Sequence, residues 1–384
     1  MKIVIAIDSF KGCCTTFEAA DAVERGLRYY RDDVQVTKIP IADGGEGTVD
    51  TLVSALEGEF KYANVLDPIG REVKAKYGVL PGNIAVIEMA AASGLPLLSN
   101  YELNPLTTTT YGTGQLIIDA LDNGCKTIYL GVGGSATNDG GVGMAQALGV
   151  SFKDKSGQEI GYGGVELSRI ETIDTSLIDS RIEKSNISIL SDVKNPLCGK
   201  NGASYVYGPQ KGATSKTIEL LDSNLEHYGQ IVKEQLSVDV LSMAGAGAAG
   251  GVGAGLFAFC KAESFSGVNK LIDLMHIEDY LKDADLVITG EGRIDSQTIN
   301  GKVPVGVAKK AKKYDLPVIA LVGSIGEGAE KTYEHGIDAI VDIIPSPQTL
   351  EYSLKNGISL IESTTERTMR LWNTSEKSCH KKLV

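Results

Sequence analysis

Histidine is scarce in this chain. Only His227, His276, His335 and His380 occur in 384 residues, all in helix-like or tail contexts, so imidazole-centred chemistry is not expected. The cysteines Cys13, Cys14, Cys125, Cys198, Cys260 and Cys379 form no C-x-x-C pair and match no zinc or disulfide spacing. Scattered thiols on a long chain read as reduced, which points to the cytoplasm. No long run rich in large hydrophobic side chains occurs, so no transmembrane helix is expected. The opening Met1–Asp8 reaches an acid too early for a signal peptide. G-x-x-x-x-G-K-[ST], H-E-x-x-H and G-x-S-x-G are missing, which excludes a Walker-type ATPase, a zincin and a nucleophile-elbow hydrolase. Positive charge is also short, with 37 Lys+Arg against 49 Asp+Glu and a formal net charge of −12. That balance argues against nucleic acid or a membrane surface as partner. It leaves room for a small anion, because a local basic pocket can oppose the global field.

What is present in excess is glycine: 45 in 384 residues, about 12% against a usual share of about 7%. No period of three accompanies it, so the surplus belongs to tight turns and ligand loops. With 42% apolar residues, and at about 150 residues per domain, the chain suits two well-cored domains. Ile3 to Ile7 is a continuous apolar run, as a strand covered on both faces would be. Phe17, Ala20, Val23, Leu27 and Tyr30 then share one helical stripe. Val34 to Pro40 reads as a second strand, and 285–289, 318–322 and 339–344 repeat the style near the other end. Residues 61–88, with Asp67-Pro68 and Pro81-Gly82 turns, read as an antiparallel meander. The expected class is α/β with two domains. Residues 1–65 with 275–384 form a Rossmann-like, doubly wound parallel sheet domain, and 66–274 form an inserted mixed-sheet α/β domain. Asn373 to Val384 reads as a polar, frayed tail.

Several loops that follow predicted strands could carry chemistry, since open α/β sheets place ligands there. Asp8-Ser9-Phe10-Lys11-Gly12 offers a carboxylate, a hydroxyl and an ammonium within one turn. Its plain alternative is an ordinary βα loop with a capping serine. In Ala42-Asp43-Gly44-Gly45-Glu46-Gly47-Thr48 the two acids could bind hydroxyls or a magnesium-bound water, or the segment is simply a tight turn. Successive N–H groups of the loop Gly131 to Gly141 could form an anion nest leading into a helix. Gly131 to Ala136 also satisfies G-x-G-x-x-A, and Gly245 to Gly250 gives a second dinucleotide match. The second run reads equally well as small residues that let two elements pack closely. Asp192, beside Lys194 at a strand end, is a candidate general base. Glu291, Arg293 and Asp295 end a further strand, where arginine suits a bidentate contact to carboxylate or phosphate. For each acid the competing reading is a helix cap or a surface ion pair.

In order along the chain, DSFKG (Asp8–Gly12), ADGGEGT (Ala42–Thr48), DPIGR (Asp67–Arg71), TTTYGTGQLI (Thr108–Ile117) and GGSATNDGG (Gly133–Gly141) lead into SDVKNPL (Ser191–Leu197), GAGAAGGVGAGL (Gly245–Leu256) and DLVITGEGRIDSQT (Asp285–Thr298). This ordered set resembles the type-1 glycerate kinases over nearly the whole length. The resemblance implies transfer of the ATP γ-phosphoryl group to D-glycerate with Mg2+, giving 2-phosphoglycerate or 3-phosphoglycerate and ADP. It also implies a Rossmann-like domain carrying an inserted one. Phosphoryl transfer works mainly by positioning and charge neutralisation, which suggests a cast. Asp192 is the base and Lys11 stabilises the transferred group. Asp8, Ser9, Arg71 and Arg293 bind substrate, and Gly133, Gly134, Ser135 and Asn138 hold nucleotide phosphates. Asp295 and Glu291 are the magnesium candidates, and domain closure would exclude water. A NAD(P)-dependent oxidoreductase of a small hydroxy acid is the alternative, and a glycerate sensor a more distant one. A monomer and a homodimer both remain open.

Overall fold

The structure is a computed structural model that describes residues 1–42, 44–45 and 47–380, with side chains through 374. Strands β1 (Lys2–Ile7) and β2 (Gln35–Lys38) come first. The strands β3 (Glu59–Leu66), β4 (Glu72–Leu80) and β5 (Ile84–Glu88) follow, then β6 (Thr127–Gly131), β7 (Ser151–Lys153), β8 (Thr172–Asp174) and β9 (Asn186–Leu190). The remaining strands are β10 (Glu263–Phe265), β11 (Leu286–Glu291), β12 (Val318–Val322) and β13 (Ala339–Asp342). The chain divides into two compact units, Met1–Asp43 with Val268–Val384, and Gly44–Gly267.

The first unit is a five-stranded sheet in the order β13-β12-β11-β1-β2, parallel throughout. Helices cover both faces, so Ile3, Val4, Ile5, Ala6 and Ile7 are all buried, which explains their unbroken apolar run. The helix Thr16–Tyr30 starts at a capping box in which Thr15 and Glu18 exchange side-chain-to-backbone hydrogen bonds. It packs on the helix Leu350–His380, and at Gly26 any Cβ would collide with the Glu362 carbonyl oxygen. The stretch from Asn373, expected to fray, continues this helix to its last described residue. Renumbered within the unit, the strand order is 2-1-3-4-5. Such a sheet opens its ligand crevice between its first and third strands, here β1 and β11.

The second unit holds a six-stranded sheet in the order β10-β9-β6-β5-β4-β3. The pairs β3–β4 and β4–β5 are antiparallel, whereas β5, β6, β9 and β10 run parallel. β3 pairs with β4 along its whole length, from Glu59↔Val79 to Leu66↔Glu72. The units therefore divide near 43 and 268 rather than at 65/66 and 274/275, because strand pairing, not chain proximity to β2, decides where β3 belongs. In the same way the helix Gly267–Leu274 packs in the first unit, where a Cβ on Gly306 would stand 2.7 Å from Val268. Among the described residues no helix is long and apolar enough to cross a membrane.

Candidate active site

In the first unit a cleft of about 570 Å³ lies along the carboxyl ends of β1, β11, β12 and β13. Asp8, Ser9, Lys11, Glu291, Arg293 and Lys302 line one part, and Phe10, Ile343, Ile344, Leu350 and Leu354 another. The parallel order brings the first two loops together, since Asp8 N–H donates to the Gly290 carbonyl at 3.0 Å. Asp8 is buried, and its Oδ1 accepts the Ser9 N–H at 2.7 Å. Phe10 anchors the following turn from the core, with the Cys13 and Cys14 N–H groups donating to its carbonyl, and this leaves Lys11 exposed. Gly12 takes the left-handed φ of +79° that the turn requires.

β11 delivers Glu291 to the same place. Its carboxylate accepts the Thr298 hydroxyl at 2.7 Å and faces Lys302 Nζ at 3.5 Å. Burial pushes the Glu291 carboxyl up, opposed by the Thr298 hydroxyl and Lys302. Asp295 accepts the Gln297 N–H at 2.9 Å and stands 3.3 Å from Arg293 Nε and 3.9 Å from Lys302 Nζ. The loop is tied to its neighbour by Gly323 N–H to the Glu291 carbonyl and Gly326 N–H to the Ile294 carbonyl. Among the described residues no group of three or more His, Cys, Asp or Glu could hold a metal by itself. The donor set Glu291 and Asp295 fits magnesium on one condition, that phosphate and water complete its octahedron, which is how this ion is commonly held.

The second unit contains a differently built locus. In the loop after β6, Gly133 and Gly134 are exposed, and no acceptor among the described residues takes the N–H groups of Gly133, Gly134 or Ser135. The backbone beneath this crest is tied to its neighbours. Leu95 N–H donates to the Gly134 carbonyl, Ala136 N–H to the Ser93 carbonyl, and the Thr108 hydroxyl to the Ala136 carbonyl. Asp139 is 1% exposed, and its carboxylate accepts the Thr110 N–H and hydroxyl, both at 2.8 Å. It also accepts the Gly141 and Gly143 N–H groups at 3.1 and 3.3 Å. Burial pushes that carboxyl up while these four donors hold it down. Lys211, from the turn Pro209–Lys211, reaches the loop from inside.

The structure places the expected residues unevenly. Asp8, Ser9, Lys11, Glu291 and Arg293 share the cleft of the first unit, while Gly133, Gly134 and Ser135 share the crest of the second. Asn138 is 0% exposed and turns inward, its Nδ2 donating to Ser204 Oγ at 2.9 Å, so its side chain faces protein rather than a ligand. Arg71 is spent on the protein itself. Its Nε donates to Asp67 at 2.6 Å, Nη1 to Glu102 at 2.8 Å and Nη2 to the Leu97 carbonyl at 3.0 Å. Two carboxylates already pair with that guanidinium. Asp192 is exposed just beyond β9. Asp43 and Glu46 lie outside the described residues, but Gly44 and Gly45 between them pass close to Gly131 and Gly133.

Neither dinucleotide match has the required geometry. The first does not open a helix at its end, because the short helix Val142–Ala147 begins six residues after Ala136. In the second, Gly250 and Gly251 are left-handed and pack against residues 137–141, where a Cβ on Gly251 would stand 2.7 Å from Gly140 Cα. Its glycines serve close backbone approach. Two lysines received no role in the sequence reading, which took Gly301-Lys302-Val303-Pro304 only as the opening of a helix. Lys302 follows a left-handed Gly301 and precedes Pro304 at a helix start, a signal that was available. Lys211 carries no local signal, since its partners lie 74 and 76 residues away.

Comparison with known proteins accounts for this arrangement. The glycerate kinase family matches residues 3–373. A glycerate kinase of Halalkalibacterium halodurans is 51% identical over 97% of this chain and 99% of its own. A glycerate 2-kinase of Escherichia coli K12 is 49% identical over 93% of this chain and 94% of its own. A crystal structure described as a glycerate kinase 2 from Salmonella typhimurium LT2 superposes with a TM-score of 0.87 at 47% identity, covering 98% of this chain and 99% of that one. The chain belongs to the glycerate kinase family.

Proposed function

We propose that the protein transfers the γ-phosphoryl group of ATP to the 2-hydroxyl of D-glycerate, giving 2-phosphoglycerate and ADP. The observation that carries this reading is the convergence of Lys11, Arg293 and Lys302 with Asp8 and Glu291 in one cleft at the β1/β11 switch point. A doubly anionic reaction needs such a local reversal of a negative global charge. The 49% identical relative named glycerate 2-kinase supports the 2-hydroxyl.

In this reading Arg293 binds the glycerate carboxylate, since a guanidinium matches it bidentately. Asp8 and Ser9 orient the hydroxyls, while Lys11 and Lys302 offset charge on the transferred phosphoryl group. Asp192 takes the proton of the attacking hydroxyl as its oxygen bonds to phosphorus and the bond to the ADP oxygen breaks. The N–H groups of Gly133, Gly134 and Ser135 receive nucleotide phosphate. Glu291 and Asp295 would hold magnesium, which would supply positive charge to offset that of the phosphates. A coupled assay of ADP release tests the reading: ADP should appear only when Mg·ATP and D-glycerate are both supplied. Release that ignores glycerate, or turnover that requires NAD(P), contradicts it.

A further inference from the structure

Lys211 is the most deeply buried cation of the second unit, 1% exposed. Its ammonium donates to Ser135 Oγ at 2.7 Å and to the Thr137 carbonyl at 2.6 Å. Both acceptors are neutral. Among the described residues Asp139 is the carboxylate that influences it, and that carboxylate is occupied by Thr110, Gly141 and Gly143. The turn that carries the lysine, residues 203–212, contains no acid. From the helix Ser215–Leu236, Tyr228 faces Asp139 and brings no charge at neutral pH.

Burying an ammonium against neutral partners is costly. A loop that only needed shape could be held by a neutral side chain of similar length. The position of this charge gives it a use, because Lys211 Nζ holds Ser135, the next residue along from the exposed Gly133–Gly134 crest, whose N–H groups have no acceptor among the described residues. With its oxygen accepting from Lys211, the Ser135 hydroxyl keeps its own proton to donate.

We propose that Lys211 is a positioning residue of the Gly133–Ser135 loop, fixing Ser135 from below and supplying from within the protein the positive charge that makes the loop select a nucleotide phosphate. This rests on the reading of that loop as the phosphate cradle. Burial pushes Lys211 down to about 7, so its charge is present below neutrality and lost as pH rises. A bound anion would recover the proton, which links nucleotide affinity to pH.

The test measures binding of Mg·ADP and of a non-hydrolysable ATP analogue by calorimetry across about pH 6.5–9, in the wild type, Lys211→Met, Lys211→Arg and Ser135→Ala. The nucleotide's own phosphate also titrates, so the readout is the difference between proteins. Lys211→Met should bind on the order of tenfold more weakly at the acidic end, converging on the wild type at the alkaline end. KM for ATP should rise by a similar factor, with KM for glycerate within about twofold. Lys211→Arg should retain the charge and remove the convergence. Wild-type affinity in Lys211→Met at the acidic end, or a constant ratio across pH, overturns the proposal. Should Lys211→Met fail to fold, Ser135→Ala decides: affinity reduced by about threefold or more supports the relay, and unchanged affinity overturns it. A wild type that phosphorylates glycerate from ATP while both variants match it refutes the role of Lys211 alone. A wild type that binds no nucleotide refutes the cradle itself.

Discussion

Asp139 offers the sharpest stability prediction, because one buried carboxylate ties together two helix starts. It accepts three N–H groups and one hydroxyl, from Thr110 before the helix Tyr111–Asp122 and from Gly141 and Gly143 at the helix Val142–Ala147. Truncation to alanine strands three buried backbone donors at about 1–3 kcal/mol each. The Thr110 hydroxyl keeps one partner, because it also accepts the Met144 N–H at 2.8 Å. Water entering the space left by the carboxylate would satisfy part of the deficit. The net loss for Asp139→Ala should then be about 4 kcal/mol, and for Asp139→Asn, which retains one oxygen, about 2 kcal/mol. Urea unfolding followed by far-UV circular dichroism measures both. Fluorescence of Trp372, the sole tryptophan and part of the other unit, serves as an internal reference that should change little. Asp139→Asn also strips a charge that offsets Lys211. Its cost should therefore shrink in a Lys211→Met background, a coupling that a double-mutant cycle reads directly. A loss below about 1 kcal/mol for Asp139→Ala, or strict additivity of the pair, would refute the reasoning.

Lys211 should also leave a signature in stability. Its proton is held to about 7 in the folded protein against an ordinary value of 10.5, so between these values the unfolded chain binds more protons. Stability should rise with pH by about 3 kcal/mol more than in Lys211→Met between about pH 7 and 9.5; equal slopes would contradict this. Arg71→Met should lower stability by about 2 kcal/mol, because it strands buried Asp67, yet leave KM for glycerate within about twofold. A tenfold rise would return Arg71 to the substrate site. Asp192→Asn should reduce kcat by about a hundredfold or more with an intact circular dichroism spectrum, and near-wild-type kcat would dismiss it as the base.

Much of the first unit was legible because its signals are local. An apolar run marks a strand buried on both faces, and Thr15 with Glu18 marks a helix start. The antiparallel meander was legible for the same reason, through its turns. The junction was not, since nothing within Glu59–Leu66 says that it pairs with β4 rather than extending the first sheet. The site shows the same division. Asp8, Lys11, Glu291 and Arg293 stand at strand ends, and the sequence marks strand ends, but only the parallel pairing of β1 with β11 brings them into one cleft. Arg71 looked available because Glu102, one of its partners, lies 31 residues away. Lys211 looked like an ordinary surface lysine because burial is a property of the assembled core, and its neighbours Pro209 and Gly212 announce only a turn.

The central claim is a chemical one, that this chain moves the γ-phosphoryl group of ATP to the 2-hydroxyl of D-glycerate. Phosphorus NMR of the product formed from Mg·ATP and D-glycerate tests it most directly. The account predicts a single new phosphomonoester coupled to one proton, that on C2 of 2-phosphoglycerate, growing in step with ADP. Coupling to a methylene pair would place the phosphate on the 3-hydroxyl and correct the regiochemistry. Inorganic phosphate as the sole product, with glycerate unchanged, would contradict the account.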